Sequence, residues 1–130
     1  MLMVDIDTKI SIDELIAQIK SVSNENDNWL IYETVSGYHV FNTTVYNAYN
    51  NTTYHPIMDL PIVDKKYIDK VKQDYGVYVA RVSPKSKYAN DYVAKFVTEF
   101  GSGIYESYKY RSVDNRLVIN KYNELISRYH

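Results

Sequence analysis

The sequence predicts a single α+β domain, in which a β-α-β-β-α-β core is followed by a β-hairpin and a last helix. Its length of 130 residues suits one domain that buries its own core. Segments with helical apolar spacing alternate with short apolar or alternating segments typical of strands. Because no repeat or linker interrupts the chain, we expect one domain at 1–130, with the core at 1–85 and an extension at 86–130 packed on it.

The chain opens with a predicted strand and helix. Residues 2–7 form an apolar run that becomes alternating, as in a strand whose last residues emerge at the end of a sheet. From Ile12 to Val22 apolar side chains recur with helical period, and Ser11 with Glu14 gives the pattern of a capping box. This helix is expected to end in the polar segment 23–28.

A hairpin follows the first helix. Residues 29–32 and 38–41 are rich in strand-forming residues, and Ser36 and Gly37 mark a turn between them. Residues 42–61 are polar and rich in Asn, Thr and Tyr, which predicts a long loop with, at most, a helical turn. A loop of that length favours function or mobility.

A second helix and a fourth strand complete the predicted core. Apolar residues recur with helical period from Val63 to Val71, with Asp64 as N-cap and Gly76 just beyond the expected end. Residues 77–82 then form a fourth apolar strand segment. In the extension, 92–100 and 104–110 are predicted as hairpin arms, although the first arm also fits a helix, and 117–129 ends in a helix with Tyr122 on its apolar face.

This order of elements is the ferredoxin-like, or RRM-like, arrangement. In that arrangement the first and third strands are central neighbours in the sheet. We therefore expect residues at the ends of these two strands to meet.

Composition restricts where a functional site can lie. With 15 Lys and Arg against 16 Asp and Glu, the net charge of -1 gives no global basic field, so any charged site is local. The absence of Cys excludes disulfides, thiolate zinc sites and cysteine nucleophiles. Asp5 and Asp7 interrupt the first apolar run, so no signal peptide or membrane span is predicted and a cytoplasmic protein is expected. The high count of 15 Tyr does not by itself favour one function over another.

Asp5 and Asp7 are the first candidate site residues. Two residues apart on a strand, they are expected to face the same side and to repel one another unless a cation lies between them. Carboxylate oxygens suit Mg²⁺ or Mn²⁺, so this pair predicts a divalent-metal site; the alternative is two solvated carboxylates at a strand end.

Two later strands supply further candidates. Gly37 permits a close backbone approach, and His39 points opposite to Tyr38. If the first and third strands are neighbours, His39 shares a face with the aspartates and can bond a phosphate beside their metal. Near the fourth strand, Arg81 and Lys85 with Ser83 offer groups that clamp a polyphosphate or merely solvate an edge.

These segments resemble motifs I and II of the archaeo-eukaryotic primase superfamily, an Asp-x-Asp strand followed by a Ser-Gly-x-Gly-x-His-type strand on an RRM-like core. The resemblance covers residues 2–85 and implies a nucleotidyltransferase with Mg²⁺ or Mn²⁺, a nucleotide or nucleic acid, and other replication proteins as partners. It implies that Asp5 and Asp7 bind metal and are catalytic together with His39. It implies substrate contacts from Ser36, Gly37, Tyr38, Arg81, Ser83 and Lys85.

The sequence departs from the family pattern in two places. The second glycine of motif II is missing, because Tyr38 directly follows Gly37 and precedes His39. A third acidic motif has only scattered candidates, which are Asp59, Asp64 and Asp114.

Two other functions fit the same sequence. In an RNA-binding module, residues 37–41 echo part of the aromatic motif of the third RRM strand, and loop tyrosines stack bases. The acidic first strand, which has no aromatic residue, disfavours that interpretation. In a protein-interaction domain, late-hairpin tyrosines form the partner surface. The tyrosines concerned are Tyr46, Tyr49 and Tyr54 in the loop and Tyr105, Tyr108 and Tyr110 in the hairpin.

Overall fold

The structure is a computed structural model that describes residues 2–44, 55–66, 68–69, 94–101 and 113–128. It shows an α+β protein, as predicted. In chain order the elements are β1 (Leu2–Ile6), α1 (Ile12–Val22), β2 (Asn28–Thr34), β3 (Tyr38–Asn42), a 3-10 helix (Pro56–Asp59), β4 (Ala94–Gly101) and α2 (Val113–Ser127).

Within the described residues, the four strands form one antiparallel sheet in the order β1-β3-β2-β4, which does not establish the complete RRM-like order. The expected adjacency of the first and third strands is confirmed. The arm predicted at 92–100 is a strand, β4, and it pairs with β2 with a register shift between Ile31 and Tyr32. The predicted fourth core strand at 77–82, the second hairpin arm at 104–110 and most of the second helix lie outside the described residues.

One face of the sheet packs against α1. Strand residues alternate between the two faces, so every second residue contributes to this layer. Ser11 accepts a hydrogen bond from the Glu14 backbone N at 3.2 Å, which confirms the predicted cap, and the helix buries Leu15 and Ile19. The buried strand residues of this layer are Leu2, Val4, Ile6, Trp29, Ile31, Tyr38 and Val40.

The opposite face packs against α2. Ile119, Tyr122 and Ile126 of α2 are buried there, at the 3- and 4-residue spacing of one helix face. Because both faces are covered, β2 and β3 are buried along almost their whole length. The buried strand residues of this second layer are Met3, Leu30, Tyr32, Phe41 and Ala94.

A buried Asp–His pair anchors the 3-10 helix, which lies in the described part of the predicted long loop. The His55 Nε2 lies 2.8 Å from the Asp27 carboxylate, and the His55 Nδ1 accepts from the Ile57 backbone N at 3.0 Å. Asp27 also accepts from the Asn24 backbone N and the Asn42 side chain, each at 2.9 Å. Burial would raise the pKa of Asp27, but these hydrogen bonds outweigh it and hold the pKa below its usual value.

Candidate functional site

Asp5 and His39 lie opposite one another in the pairing of β1 with β3. Directly paired residues of antiparallel strands point to the same face of a sheet. The Asp5 Oδ1 is accordingly 3.8 Å from the His39 Nε2, a separation that permits an ion pair but exceeds a hydrogen bond. The two motifs therefore meet on one face, as the strand order predicted.

The turn at Gly37 packs directly on the end of β1. A Cβ on Gly37 would lie 1.7 Å from the Ile6 backbone O and 2.9 Å from the Thr8 N. The turn is closed by Thr34, whose backbone N donates to the Gly37 O at 2.9 Å and whose Oγ1 accepts from the Gly37 N at 3.0 Å. Only glycine permits this approach, which brings the Ser36–Gly37 turn against the segment that contains Asp7.

The two aspartates differ in their surroundings. β1 ends at Ile6, so Asp7 lies in the exposed connection just after the strand, whereas the Asp5 side chain is 32% exposed. Both carboxylates thus reach solvent, where a hydrated cation is available. The described residues contain no group of three or more His, Asp or Glu side chains arranged to hold a metal ion.

Asp64, one of the candidate third acidic residues, is joined to Asp5 by a backbone hydrogen bond. Its backbone N donates to the Asp5 O at 2.8 Å, next to an isolated bridge between Ile6 and Val63. Its carboxylate accepts from the Lys66 N at 2.9 Å, as expected of the predicted helix N-cap. Asp64 therefore lies beside β1, but its carboxylate caps a helix.

His39 is 7% exposed and is held from the α2 side by Tyr122. The Tyr122 hydroxyl lies 2.7 Å from the His39 Nδ1. Burial, followed by the charges of Tyr32 and Asp5, raises the pKa of Tyr122 well above its usual value, so the hydroxyl keeps its proton. Sequence reasoning missed this contact because Tyr122 was identified only as an apolar-face residue of the last helix.

Lys9 is a second residue that sequence reasoning missed. Its Nζ donates to the Thr34 backbone O and lies 3.6 Å from the Glu33 carboxylate, next to the Gly37 turn. Its position two residues after Asp7 was the sequence feature that could have indicated a charge near the candidate site. Lys9 thus supplies a positive charge at the same end of the sheet as both aspartates.

The remaining predicted site residues are placed elsewhere or not described. Tyr38 lies on the α1 face, where its hydroxyl donates to the Ile10 O at 2.6 Å, so it does not line the face of Asp5 and His39. Ser36 is half-buried in the turn beside Asp7. Three residues expected to bind substrate lie outside the described part of the chain: Arg81, Ser83 and Lys85.

No family model, curated protein or solved structure matches the chain. Within the described residues, neither helix has the length and apolar character needed to cross a membrane.

Proposed function

We propose that this protein is a divalent-metal-dependent nucleotide- or nucleic-acid-processing protein, with a minimal primase-polymerase-like nucleotidyltransferase core of RRM-like order. The observation that carries the proposal is the direct pairing of Asp5 with His39 on one sheet face. Its support is the tight packing of Gly37 on Ile6, which draws the second motif onto the end of the first.

Asp5 and Asp7 are the residues that fit a metal ion. Mg²⁺ is commonly held by one or two carboxylates, with water and substrate phosphate completing its coordination. Two carboxylates that reach solvent suit that open mode of binding. A bound ion would neutralise phosphate charge and stabilise the attacking and leaving oxygens.

The other residues at this end of the sheet suit an anionic ligand. Lys9 carries a positive charge beside the turn, and the His39 imidazole lies next to Asp5. Lys9, however, lies beside Glu33 and 5.9 Å from the centroid of the Tyr38 ring on the α1 side, so a triphosphate held by a metal on the aspartates would contact His39 first. Ser36 offers a hydroxyl in the same turn.

Strand parity disfavours the alternative of a non-catalytic RRM-like binding module. In such a module, alternate aromatic residues of the third strand face the bases. Here Tyr38, the first aromatic residue of the RRM-like segment 37–41, is buried on the α1 face. The opposite face is packed against α2. The interaction-domain alternative rests on hairpin tyrosines that lie outside the described residues.

The test is thermal unfolding with Mn²⁺ and a nucleoside triphosphate. We expect the natural protein to gain about 2.7 kcal/mol at a hundredfold excess of ligand over Kd, and the Asp5→Asn/Asp7→Asn variant to gain almost nothing. Asp13→Asn, an exposed carboxylate on α1 at the other face, is the matched control and should respond as the natural protein does. Absence of stabilisation in the natural protein would remove the metal-site proposal.

Incorporation of labelled nucleotides with and without a primer separates an enzyme from a binder. Extension that depends on Asp5 and Asp7 supports the nucleotidyltransferase. Metal and nucleotide binding without incorporation would instead identify a non-catalytic nucleotide-binding domain.

A further inference from the structure

Among the described contacts, one hydrogen bond joins α2 to His39, and it comes from the Tyr122 hydroxyl. The two residues are 83 positions apart in sequence, and their polar atoms are 2.7 Å apart in a buried environment. Ring contacts with Phe41 and Tyr32, at centroid distances of 4.9 and 4.8 Å, fix the Tyr122 ring. The position of the hydroxyl is therefore set by two ring contacts and one hydrogen bond.

The direction of this hydrogen bond follows from the partners available. Within the described residues, His39 Nδ1 is the sole hydrogen-bond partner of the Tyr122 hydroxyl. If Nδ1 carried the imidazole proton, the buried Tyr122 O–H would have no acceptor, at a substantial energetic cost. Donation from Tyr122 to Nδ1 satisfies both groups and leaves the imidazole proton on Nε2.

The surroundings of Nε2 favour the same tautomer. The Asp5 Oδ1 lies 3.8 Å from Nε2, and a carboxylate attracts an N–H but repels a nitrogen lone pair. The raised pKa of Tyr122 keeps its proton available for donation throughout the usable pH range. Both ends of the imidazole thus specify one arrangement.

We propose that Tyr122 is a positioning residue that holds His39 as the Nε2–H tautomer, so that an N–H and not a lone pair faces Asp5 and any phosphate bound there. The tautomer assignment stands on the hydrogen bond of the Tyr122 hydroxyl, whereas the role towards phosphate rests on the proposed function. The last helix is then a part of the site, although it carries none of the recognised motifs.

Nitrogen-15 NMR of the histidine side chains at a pH where they are neutral tests the tautomer directly, with His39→Gln identifying the resonances. We expect the natural protein to carry the proton on His39 Nε2, with Nδ1 shifted by hydrogen bonding. Tyr122→Phe should remove that Nδ1 shift. Tyr32→Phe is the matched control: it removes a neighbouring hydroxyl that donates to Asn123, and it should leave His39 unchanged.

Two results would overturn the inference: a proton on Nδ1 in the natural protein, or His39 resonances that are the same in Tyr122→Phe. The first result is measured on the natural protein, so it remains decisive even if Tyr122→Phe folds poorly. Titration with inorganic triphosphate and Mg²⁺ then examines the role in binding, where Tyr122→Phe should bind about tenfold more weakly and Tyr32→Phe normally. No binding by the natural protein contradicts the proposed function while leaving the tautomer result intact.

Discussion

The described residues contain two aspartate–histidine pairs that use the same chemical groups in different ways. Asp27 and His55 are 2.8 Å apart with side chains 3% and 6% exposed, and backbone or amide donors occupy their other polar atoms. Asp5 and His39 are 3.8 Å apart, and the Asp5 side chain is 32% exposed. The first pair is closed to solvent, whereas in the second the Asp5 carboxylate reaches solvent although the His39 side chain is only 9% exposed.

The difference separates a structural pair from a candidate site. In the closed pair, the Ile57 backbone N–H donates to Nδ1, so His55 donates its Nε2–H to Asp27 and no polar atom remains for a ligand. In the open pair, Tyr122 holds one imidazole nitrogen and solvent reaches the carboxylate. The exposed Asp5 carboxylate is the feature that distinguishes the candidate site from the structural pair.

Breaking the closed pair should have the largest effect on stability. Asp27→Ala leaves the His55 N–H, the Asn42 amide and the Asn24 backbone N–H without their acceptor, which should cost about 3 to 5 kcal/mol of unfolding free energy. Urea denaturation measures it. Asp13→Ala, an exposed aspartate of α1, should change stability by about 0.5 kcal/mol or less. Equal losses would mean that the closed pair is not structural.

Gly37→Ala should come next, because it acts where the second motif meets β1. The added Cβ would lie 1.7 Å from the Ile6 O, a backbone atom that cannot move without shifting the strand. We expect a loss of about 1 to 3 kcal/mol and weaker binding of Mn²⁺ with nucleotide. Ser36→Ala adds no atom to the same turn and should be milder. A fully stable Gly37→Ala protein would contradict the packing of the turn.

The closed pair should also appear in the pH dependence of stability. The folded pKa of Asp27 lies below its usual 3.8, so its contribution is complete above that pH and is lost as the pH falls through the folded pKa. The natural protein should therefore lose more unfolding free energy than Asp27→Asn between about pH 6 and about pH 3. Parallel curves would show that Asp27 contributes nothing of this kind.

Substitution at the open pair should have the smallest effect on stability. Asp5 is partly exposed and lies beyond hydrogen-bond distance of His39, so Asp5→Asn should cost less than about 1 kcal/mol. Chemical denaturation of the variant beside Asp27→Asn gives the comparison. A loss as large as that of Asp27→Asn would assign Asp5 a structural role.

The sequence was informative wherever the contacts are local or follow strand periodicity. The helix from Ser11 onward was predicted from its cap, and the shared face of Asp5 and His39 followed from strand order and the two-residue period. The contacts from Asp27 to His55 and from His39 to Tyr122 join residues 28 and 83 positions apart. Their formation depends on how a loop and a helix dock on the sheet, which no spacing in the chain encodes.

The role of Tyr38 shows the same limit in a single residue. Its place next to the glycine made it a candidate for substrate contact, although its alternation with His39 already placed it on the other face. In the structure, the alternation of side chains along β3 determines the face on which Tyr38 lies, since its hydroxyl reaches the Ile10 O in the α1 layer.

Paramagnetic NMR with Mn²⁺ tests the central claim most directly, because His39 and His55 report on the two pairs within one molecule. A Mn²⁺ ion at Asp5 and Asp7 should broaden the resonances of His39 and of the Gly37 amide first, and this broadening should disappear in Asp5→Asn/Asp7→Asn. The resonances of His55, closed against Asp27, should stay sharp at the same Mn²⁺ concentration. Equal broadening of both histidines, or none at His39, would contradict a metal site at the open pair.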